Sequence, residues 1–309
     1  MSNASIYSFL ASVIIALSFL VNLVLYLILI IFGIEYTLFN TILLLTIGLF
    51  LLCWLVIFVD IMLPKFFEKN TNYINFKPIK KPKISVAMTC YNDERSTGDA
   101  VKDFLNYPSV IEVVAVDNNS TDKTAEVAKA AGARVIRETN QGYGYACIRA
   151  LKEAKGDIIV LVESDRTYMA YDIKKMLAYL ENVDMVLGSR TTFELINKGA
   201  KMDWFLNWGN IFLAKLIQMK YDGKVRLTDV GCTYKAIKKK ALKKIINQLT
   251  IGDSHFSPQM IMVALKNNTK TIEIPITYHQ RIGESKVFVT RKKAFKLGLK
   301  MLHLILTFK

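Results

Sequence analysis

The stretch Asp157-Ile-Ile-Val-Leu-Val-Glu163-Ser-Asp165 decides the fold. An unbroken apolar run after one acid reads as a buried parallel strand. It ends in two carboxylates flanking one residue, and the segment after Tyr171, Asp-Ile-Lys-Lys-Met-Leu, reads as helix. In open α/β sheets, ligands bind beyond the carboxyl ends of the strands. Two acids placed there can hold a hard divalent cation, which in turn holds a diphosphate. Taken alone, Glu-Ser-Asp is more often a solvated acidic turn than a cation site, so its meaning rests on its surroundings.

Outward from this strand the pattern alternates. Ile84–Met88 is an expected strand, followed by Tyr91-Asn92-Asp93-Glu94. Ser96 to Tyr107 is an expected helix, which Ser96 or Thr97 can cap. Val110 to Val116 is a second strand, ending in Asp117-Asn118-Asn119-Ser120-Thr121-Asp122. Thr121 to Ala131 is a helix stopped by Gly132. Ala133–Ile136 is a third strand, and Gly142 to Ala154 a helix leading to the acidic strand. Such alternation implies a mostly parallel sheet covered by helices. Asp117 can accept from a ribose or a uracil. Asn140-Gln141-Gly142-Tyr143-Gly144 opens a helix with two glycines, which permit close approach of a phosphate or base. No G-x-G-x-x-G follows the first strand and no Walker pattern occurs, which argues against dinucleotide binding and ATPase activity.

Composition places the chain at a membrane. Of 309 residues, 52% are hydrophobic, and 41 Lys and Arg stand against 26 acids, a formal net charge of +15. A basic excess fits nucleic acid, anionic lipid or a phosphorylated substrate. The apolar excess selects lipid over nucleic acid. The four cysteines form neither a C-x-x-C pair nor a zinc spacing and read as reduced packing residues. No charge occurs from Met1 to Ile34, and Ile6 to Ile31 is long enough to cross a bilayer core. A second apolar segment runs from Leu38 to Leu63 after a short turn. Residues 1–63 are therefore expected to form a transmembrane helical hairpin. Residues 64–83 are expected to form a basic juxtamembrane linker whose lysines would place both termini and the following α/β domain on the cytoplasmic side. In the tail, 287–309, Lys292, Lys293, Lys296, Lys300 and His303 fall within an arc of about 100° on a helical wheel. Phe295, Leu299, Leu302, Ile305 and Leu306 lie on the remainder, the pattern of an amphipathic interfacial helix. The alternatives are a helix packed on its own domain or a third span, and Lys296 and Lys300 oppose the span.

Residues 84–286 resemble glycosyltransferase family 2. Ile84-Ser-Val-Ala-Met-Thr-Cys-Tyr-Asn-Asp-Glu94 is similar to the family's opening strand, V-x-I-P-x-Y-N-E. Val116-Asp-Asn-Asn-Ser-Thr-Asp122 resembles its V-D-D-x-S-x-D, and Asn140–Gly144 its glycine segment. Glu163-Ser-Asp165 stands at the D-x-D position and Gly188-Ser-Arg190 at G-[ST]-R. Leu227-Thr-Asp-Val-Gly-Cys-Thr-Tyr-Lys235 and Arg281-Ile-Gly-Glu-Ser-Lys286 resemble two stretches of the polyprenyl- or dolichyl-phosphate sugar synthase branch. The resemblance implies a GT-A fold, Rossmann-like, with a mostly parallel sheet and helices on both faces. It implies a nucleotide-sugar donor, a divalent metal (Mg2+ or Mn2+) and inversion at the anomeric carbon.

It also implies roles. Asp165 and Glu163 would meet the metal, Asp165 more directly because Glu163 replaces the family's first Asp. Tyr91, Asn92, Glu94, Asp117, Asn119, Asn140, Gly142, Gly144 and Ser285 would bind the nucleotide-sugar. Arg281 and Lys286 would neutralise the leaving diphosphate. Arg190 would position an acceptor phosphate in its fork, and Asp229 would either orient the acceptor or cap the following segment. There are departures: Thr89 replaces a proline, Arg166 follows the acids where mannosyl members carry a neutral residue, and no acceptor-phosphate arginine is evident around Trp204–Asn210. Lys201 and Lys215 are the possible substitutes.

The expected activity is transfer of one sugar to a polyprenyl phosphate. The segment from Glu163 to Arg190 resembles glucosyl-type more than mannosyl-type relatives, which implies UDP-glucose or a UDP-N-acetylhexosamine as donor, with GDP-mannose possible. A processive polysaccharide synthase is the second reading, but the Q-x-x-R-W pattern of those enzymes is missing. A non-catalytic sugar-nucleotide sensor is the third.

Overall fold

The computed structural model describes residues 4–32, 40–55 apart from 42 and 53, 79–200, 202–283 and 291–309. The chain divides into two compact units, the first Met1–Tyr73 with Gln218–Gly223 and the second Ile74–Ile217 with Lys224–Lys309, the α/β domain. In the first, α1 (Ala4–Ile31) carries an uninterrupted apolar stretch, Val13–Ile31, of mean hydropathy 2.9. It is the one described helix long and apolar enough to cross a membrane. A shorter apolar helix, α2 (Leu43–Leu52), follows. The expected turn at 33–39, the end of the second expected span and the linker at 64–78 lie outside the described residues. One helix of spanning length is thus described, and the two-helix hairpin and its topology stay an expectation.

The α/β domain is built on seven strands: β1 (Ile84–Cys90), β2 (Val110–Asp117), β3 (Arg134–Arg137), β4 (Ile158–Glu163), β5 (Met185–Ser189), β6 (Lys235–Lys238) and β7 (Thr271–Pro275). Their order is β3-β2-β1-β4-β6-β5-β7. All pairs are parallel except those of β6, which runs antiparallel to both β4 and β5. Every residue of β1 is buried. A strand covered on both faces has no polar side to show, hence the continuous apolar runs. Nothing in Lys235-Ala-Ile-Lys238 announces β6, because those lysines run on into a lysine-rich helix. Lys235 is nevertheless 2% exposed, its ammonium donating to Ser257 Oγ at 2.7 Å and to the Cys232 carbonyl.

Eight further helices are described: α3 (Glu94–Leu105), α4 (Thr124–Ala130), α5 (Tyr143–Glu153), α6 (Asp172–Leu180), α7 (Trp204–Lys220), α8 (Lys239–Ile245), α9 (Phe256–Lys266) and α10 (Arg291–Thr307), all in the second unit but for the end of α7 from Gln218. β1 is flanked by β2 on one side and β4 on the other, so the chain order reverses at β1 and opens a crevice there. Register brings the strand ends level: Cys90 pairs with Asp117 and Thr89 with Glu163.

The tail helix divides its apolar residues. Leu297, Met301 and Ile305, four apart, are buried against the domain, while Phe295 and Leu299 are 58% and 50% exposed. The helix therefore packs along one stripe and leaves a second apolar stripe uncovered. Ile305, expected on the lipid side, belongs to the packed stripe.

Candidate active site

The loops after β1 and β2 are stitched together before they meet any ligand. Asn92, with φ +50°, accepts the Thr121 N–H on its Oδ1 at 2.8 Å. Glu94 Oε2 accepts the Lys123 N–H at 3.0 Å, and the Glu94 N–H donates to Asp122 Oδ2 at 3.2 Å. Buried Asn118 holds the glycine segment: its Oδ1 accepts the Gly142 N–H at 2.8 Å, and its Nδ2 donates to the Asn140 carbonyl at 2.8 Å. Asn119, with φ +60°, donates to the Thr139 carbonyl at 2.9 Å. Of the expected donor-binding residues, Asn92, Glu94 and Asn119 thus spend their side chains on loop structure. Tyr91 and Gly142 line the cavity that results, together with Asp93, Tyr143, Glu163, Ser254 and Arg281; its volume is about 220 Å³. Asp117 is 7% exposed, and its Oδ1 has no hydrogen-bond partner among the described residues. A buried acceptor without a partner at a strand end is suited to an incoming N–H or hydroxyl.

The glycine segment is packed backbone to backbone. The Gly144 and Tyr145 N–H groups both donate to the Gly252 carbonyl, at 2.8 and 3.3 Å. A Cβ on Gly144 would run into the Ile251 and Gly252 backbone. Gly144→Ala is therefore expected to cost about 1–3 kcal/mol through overpacking and to weaken nucleotide binding. Denaturation and UDP titration of the purified variant check both effects; wild-type values for both would show that the two loops are free to part.

The acids stand at the centre. Glu163 Oε1 accepts from the Thr233 hydroxyl at 2.5 Å, and that hydroxyl also bonds the Tyr143 phenol. Glu163 Oε2 accepts from Arg281 Nη2 at 2.8 Å. Asp165 is fully buried; its Oδ1 accepts the Thr167 N–H at 3.0 Å and the Thr167 hydroxyl at 2.6 Å, and its Oδ2 is ion-paired with the same Arg281 nitrogen. Burial first, then the neighbouring Glu163 charge, pushes the Asp165 carboxyl up to about 6 against the opposing pull of Arg281. Burial likewise pushes the Tyr143 phenol up. Two adjacent carboxylates are hard oxygen donors of the kind a divalent ion takes, and Arg281 meets both of them in this structure. No group of three metal-ligating side chains occurs among the described residues. Such an ion would take further oxygens from a bound diphosphate, as Mg2+ does where it meets one or two carboxylates plus phosphate. Arg166, with φ +66°, turns away and donates to the Asp99 carbonyl at 3.2 Å. Ser285, Lys286 and Lys201 lie outside the described residues.

Arg190 and Asp229 form a buried pair. Arg190 Nε and Nη2 donate to Asp229 Oδ2 and Oδ1 at 2.8 and 2.9 Å, and the Arg190 N–H adds a third bond at 3.0 Å. Asp229 also accepts the Gly231 and Cys232 N–H groups. Despite burial, the Arg190 charge and these bonds hold the Asp229 carboxyl below its usual range. The guanidinium fork expected to face an acceptor phosphate is filled by Asp229, and the Tyr278 ring lies over its carbon at 5.4 Å. Asp229 both caps its own loop and holds Arg190.

A second cavity, of about 240 Å³, runs between α7 and α10. Apart from Asn210 it is lined by apolar side chains and glycines, among them Phe205, Phe212, Gly231, Phe295, Gly298 and Leu299. Trp204 and Trp208, one turn apart on α7, are each 66% exposed. One short segment joins the two cavities: Gly231 lines the apolar one, and Thr233 bonds Glu163 in the polar one. Thr233, Tyr143 and the α7 face are the functional candidates that sequence reading did not single out. Thr233 and Tyr143 lie within the quoted family stretches, but no spacing rule announces a contact between residues 90 apart.

This is an open α/β fold with acids at its switch point, the place where such folds bind ligands. The chain belongs to glycosyl transferase family 2, whose family model matches residues 85–246. It is 31% identical over 207 residues to the dolichyl-phosphate hexose transferase of Haloferax volcanii, covering 66% of this chain and 86% of that protein. It is also 31% identical over 211 residues to the low-salt glycan biosynthesis hexosyltransferase of the same organism, covering 67% of this chain but only half of that longer relative. Among solved structures, glucosyl-3-phosphoglycerate synthase from Mycobacterium tuberculosis, in complex with Mn2+, UDP and phosphoglyceric acid, shares the fold. Its TM-score is 0.57 at 16% identity, covering 74% of this chain and 80% of that one.

Proposed function

We propose that this glycosyltransferase moves one sugar from a nucleotide-sugar, a UDP-sugar by preference, to a polyprenyl phosphate at the membrane surface. The observation that carries the reading is an apolar groove lined by Gly231 only two residues along the chain from Thr233, which bonds Glu163 in the cavity at the strand ends. A soluble sugar acceptor has no use for such a groove; an isoprenoid chain does. The neighbouring Trp204 and Trp208 suit the headgroup layer. The relative named for dolichyl-phosphate hexose transfer supports the same acceptor class.

The chemistry follows from charge. The leaving group is a nucleoside diphosphate, so negative charge develops on its phosphates, where preorganised cations count most. A divalent metal held by Asp165, with Glu163 beside it, would supply Lewis-acid neutralisation there. Arg281 adds a second positive charge, and Lys286 in the adjoining segment a third. A phosphate acceptor is already ionised near neutral pH and needs no strong general base. The reaction accordingly needs no histidine, and His279 is engaged by Tyr171 and Asn197. The spanning helix and basic segments keep the site at the cytoplasmic leaflet, where anionic lipid attracts the lysines.

The test is a donor panel with polyprenyl phosphate, read as glycolipid mass. One added hexose or N-acetylhexosamine is expected with a UDP-sugar; polymer ladders would instead favour the processive reading, and no transfer from any donor would reject catalysis. The groove has its own test. A Cβ on Gly298 meets nothing within 4 Å, so Gly298→Phe fills the groove without strain at the backbone. It is expected to raise the KM for long-chain polyprenyl phosphate about tenfold, the loss of roughly two buried methylenes' worth of contact, with UDP binding unchanged. An unchanged KM would place the lipid elsewhere.

A further inference from the structure

Arg281 meets both acids of the Glu163–Asp165 pair with one nitrogen. Its Nη2 donates to Glu163 Oε2 at 2.8 Å and is ion-paired with Asp165 Oδ2. The three side chains are 22%, 23% and 1% exposed, so this is a shielded cluster rather than a surface ion pair. The remaining oxygens are also engaged, Glu163 Oε1 by Thr233 and Asp165 Oδ1 by Thr167. The backbone beside them is pinned, since the Ile282 N–H donates to the Asp165 carbonyl at 3.0 Å. A rotamer change alone can therefore move the guanidinium while the segment stays in place.

We propose that Arg281 is a resident counter-ion, holding the two carboxylates until a divalent cation arrives with a diphosphate and then passing from the carboxylates to the diphosphate. The inference rests on the reaction proposed above only in placing the cation at Glu163 and Asp165. The reason is charge balance in a shielded site. A divalent ion entering beside Arg281 leaves excess positive charge and must compete with it for the same two oxygens. A nucleoside diphosphate removes both obstacles, because it balances the excess and offers Arg281 new acceptors. Metal and nucleotide then strengthen one another's binding by the same factor. The arginine thus makes the carboxylate pair a weak site for metal alone and a strong one for metal with donor.

Mn2+ binding to the full chain in neutral detergent, by calorimetry and by the electron paramagnetic resonance of free Mn2+, with and without UDP, separates the possibilities. Removing a cation within contact of a carboxylate shifts that group's equilibria by about one to three powers of ten. Arg281→Gln is therefore expected to bind Mn2+ alone at least about tenfold more tightly than wild type, while its sugar transfer falls. The enhancement by UDP shrinks in the same variant. Arg281→Lys keeps a single nitrogen able to bridge both acids and should retain the weak metal binding of wild type. If Arg281→Gln folds poorly through its uncompensated acids, Mn2+ alone should raise its melting temperature by more than it raises that of wild type. Equal or weaker Mn2+ binding by Arg281→Gln overturns the counter-ion role and leaves the proposed reaction standing. Absence of Mn2+ binding to wild type even with UDP overturns both this role and the metal's part in the reaction.

Discussion

Asp165→Asn is expected to lower sugar transfer by about 10²–10³, the usual cost of removing one electrostatic group aimed at developing charge. Asp165 is fully buried at the end of β4, and its Oδ1 is fixed by two bonds from Thr167. An asparagine fills the same space and can keep those two bonds, so the fold should persist. What is lost is one of the two negative charges available to a divalent ion. Mn2+ binding in the presence of UDP should fall with the activity. The measurements are turnover at saturating donor and Mn2+ titration, beside the melting temperature as a control on folding. Near-wild-type turnover with either Mg2+ or Mn2+ would move the metal away from Asp165. Glu163→Gln should cost less, because the Glu163 side chain is 23% exposed against 1% for Asp165 and its charge is better screened by solvent.

Arg190→Ala is expected to act on stability, and by a large amount. The Arg190 and Asp229 side chains are 9% and 0% exposed, and the pair is closed by a fork of two bonds. Removing one partner strands a buried charge, which typically costs about 3–5 kcal/mol. Asp229 would keep its bonds from Gly231 and Cys232 but lose its counter-ion. Arg190→Lys retains the charge but not the fork, so it should fall between. Replacing both residues by apolar ones of similar volume should restore much of the stability, since a buried pair is often no better than a packed apolar contact. The check is the denaturation midpoint of the four proteins in detergent, set beside their transfer rates. A variant Arg190→Ala that melts like wild type yet fails to use the lipid acceptor would return Arg190 to direct acceptor binding.

These two residues mark the boundary between what was legible in the sequence and what was not. Apolar runs bounded by polar turns placed β1, β2, β3 and β4 to within a residue or two, because a strand buried on both faces has no freedom to be polar. Helix periodicity placed α3 to α6 and the tail for the same kind of reason. Asp117 and Glu163 each end a parallel strand and Asp165 follows β4 by two residues, so the sequence alone placed all three at the edge of the sheet where ligands of open α/β folds bind. The span-length helix was legible from length and hydropathy alone.

The tertiary structure decided the partners. Asp229 closes the Arg190 fork from 39 residues away, Thr233 engages Glu163 from 70, and Arg281 reaches it from 118. No local pattern encodes such pairings, since hydrogen bonds and ion pairs are specified by positions in space that depend on the whole sheet order. β6 was hidden because lysines suit a helix in isolation, whereas insertion between β4 and β5 buries Lys235 and satisfies its ammonium with Ser257 and a carbonyl. The tail's wheel showed a basic face and an apolar face, but periodicity does not say which apolar residues meet protein. Contact with the domain settled it, taking Leu297, Met301 and Ile305 into the core and leaving Phe295 and Leu299 at the groove, because burial is a property of what lies opposite a side chain and not of the side chain itself.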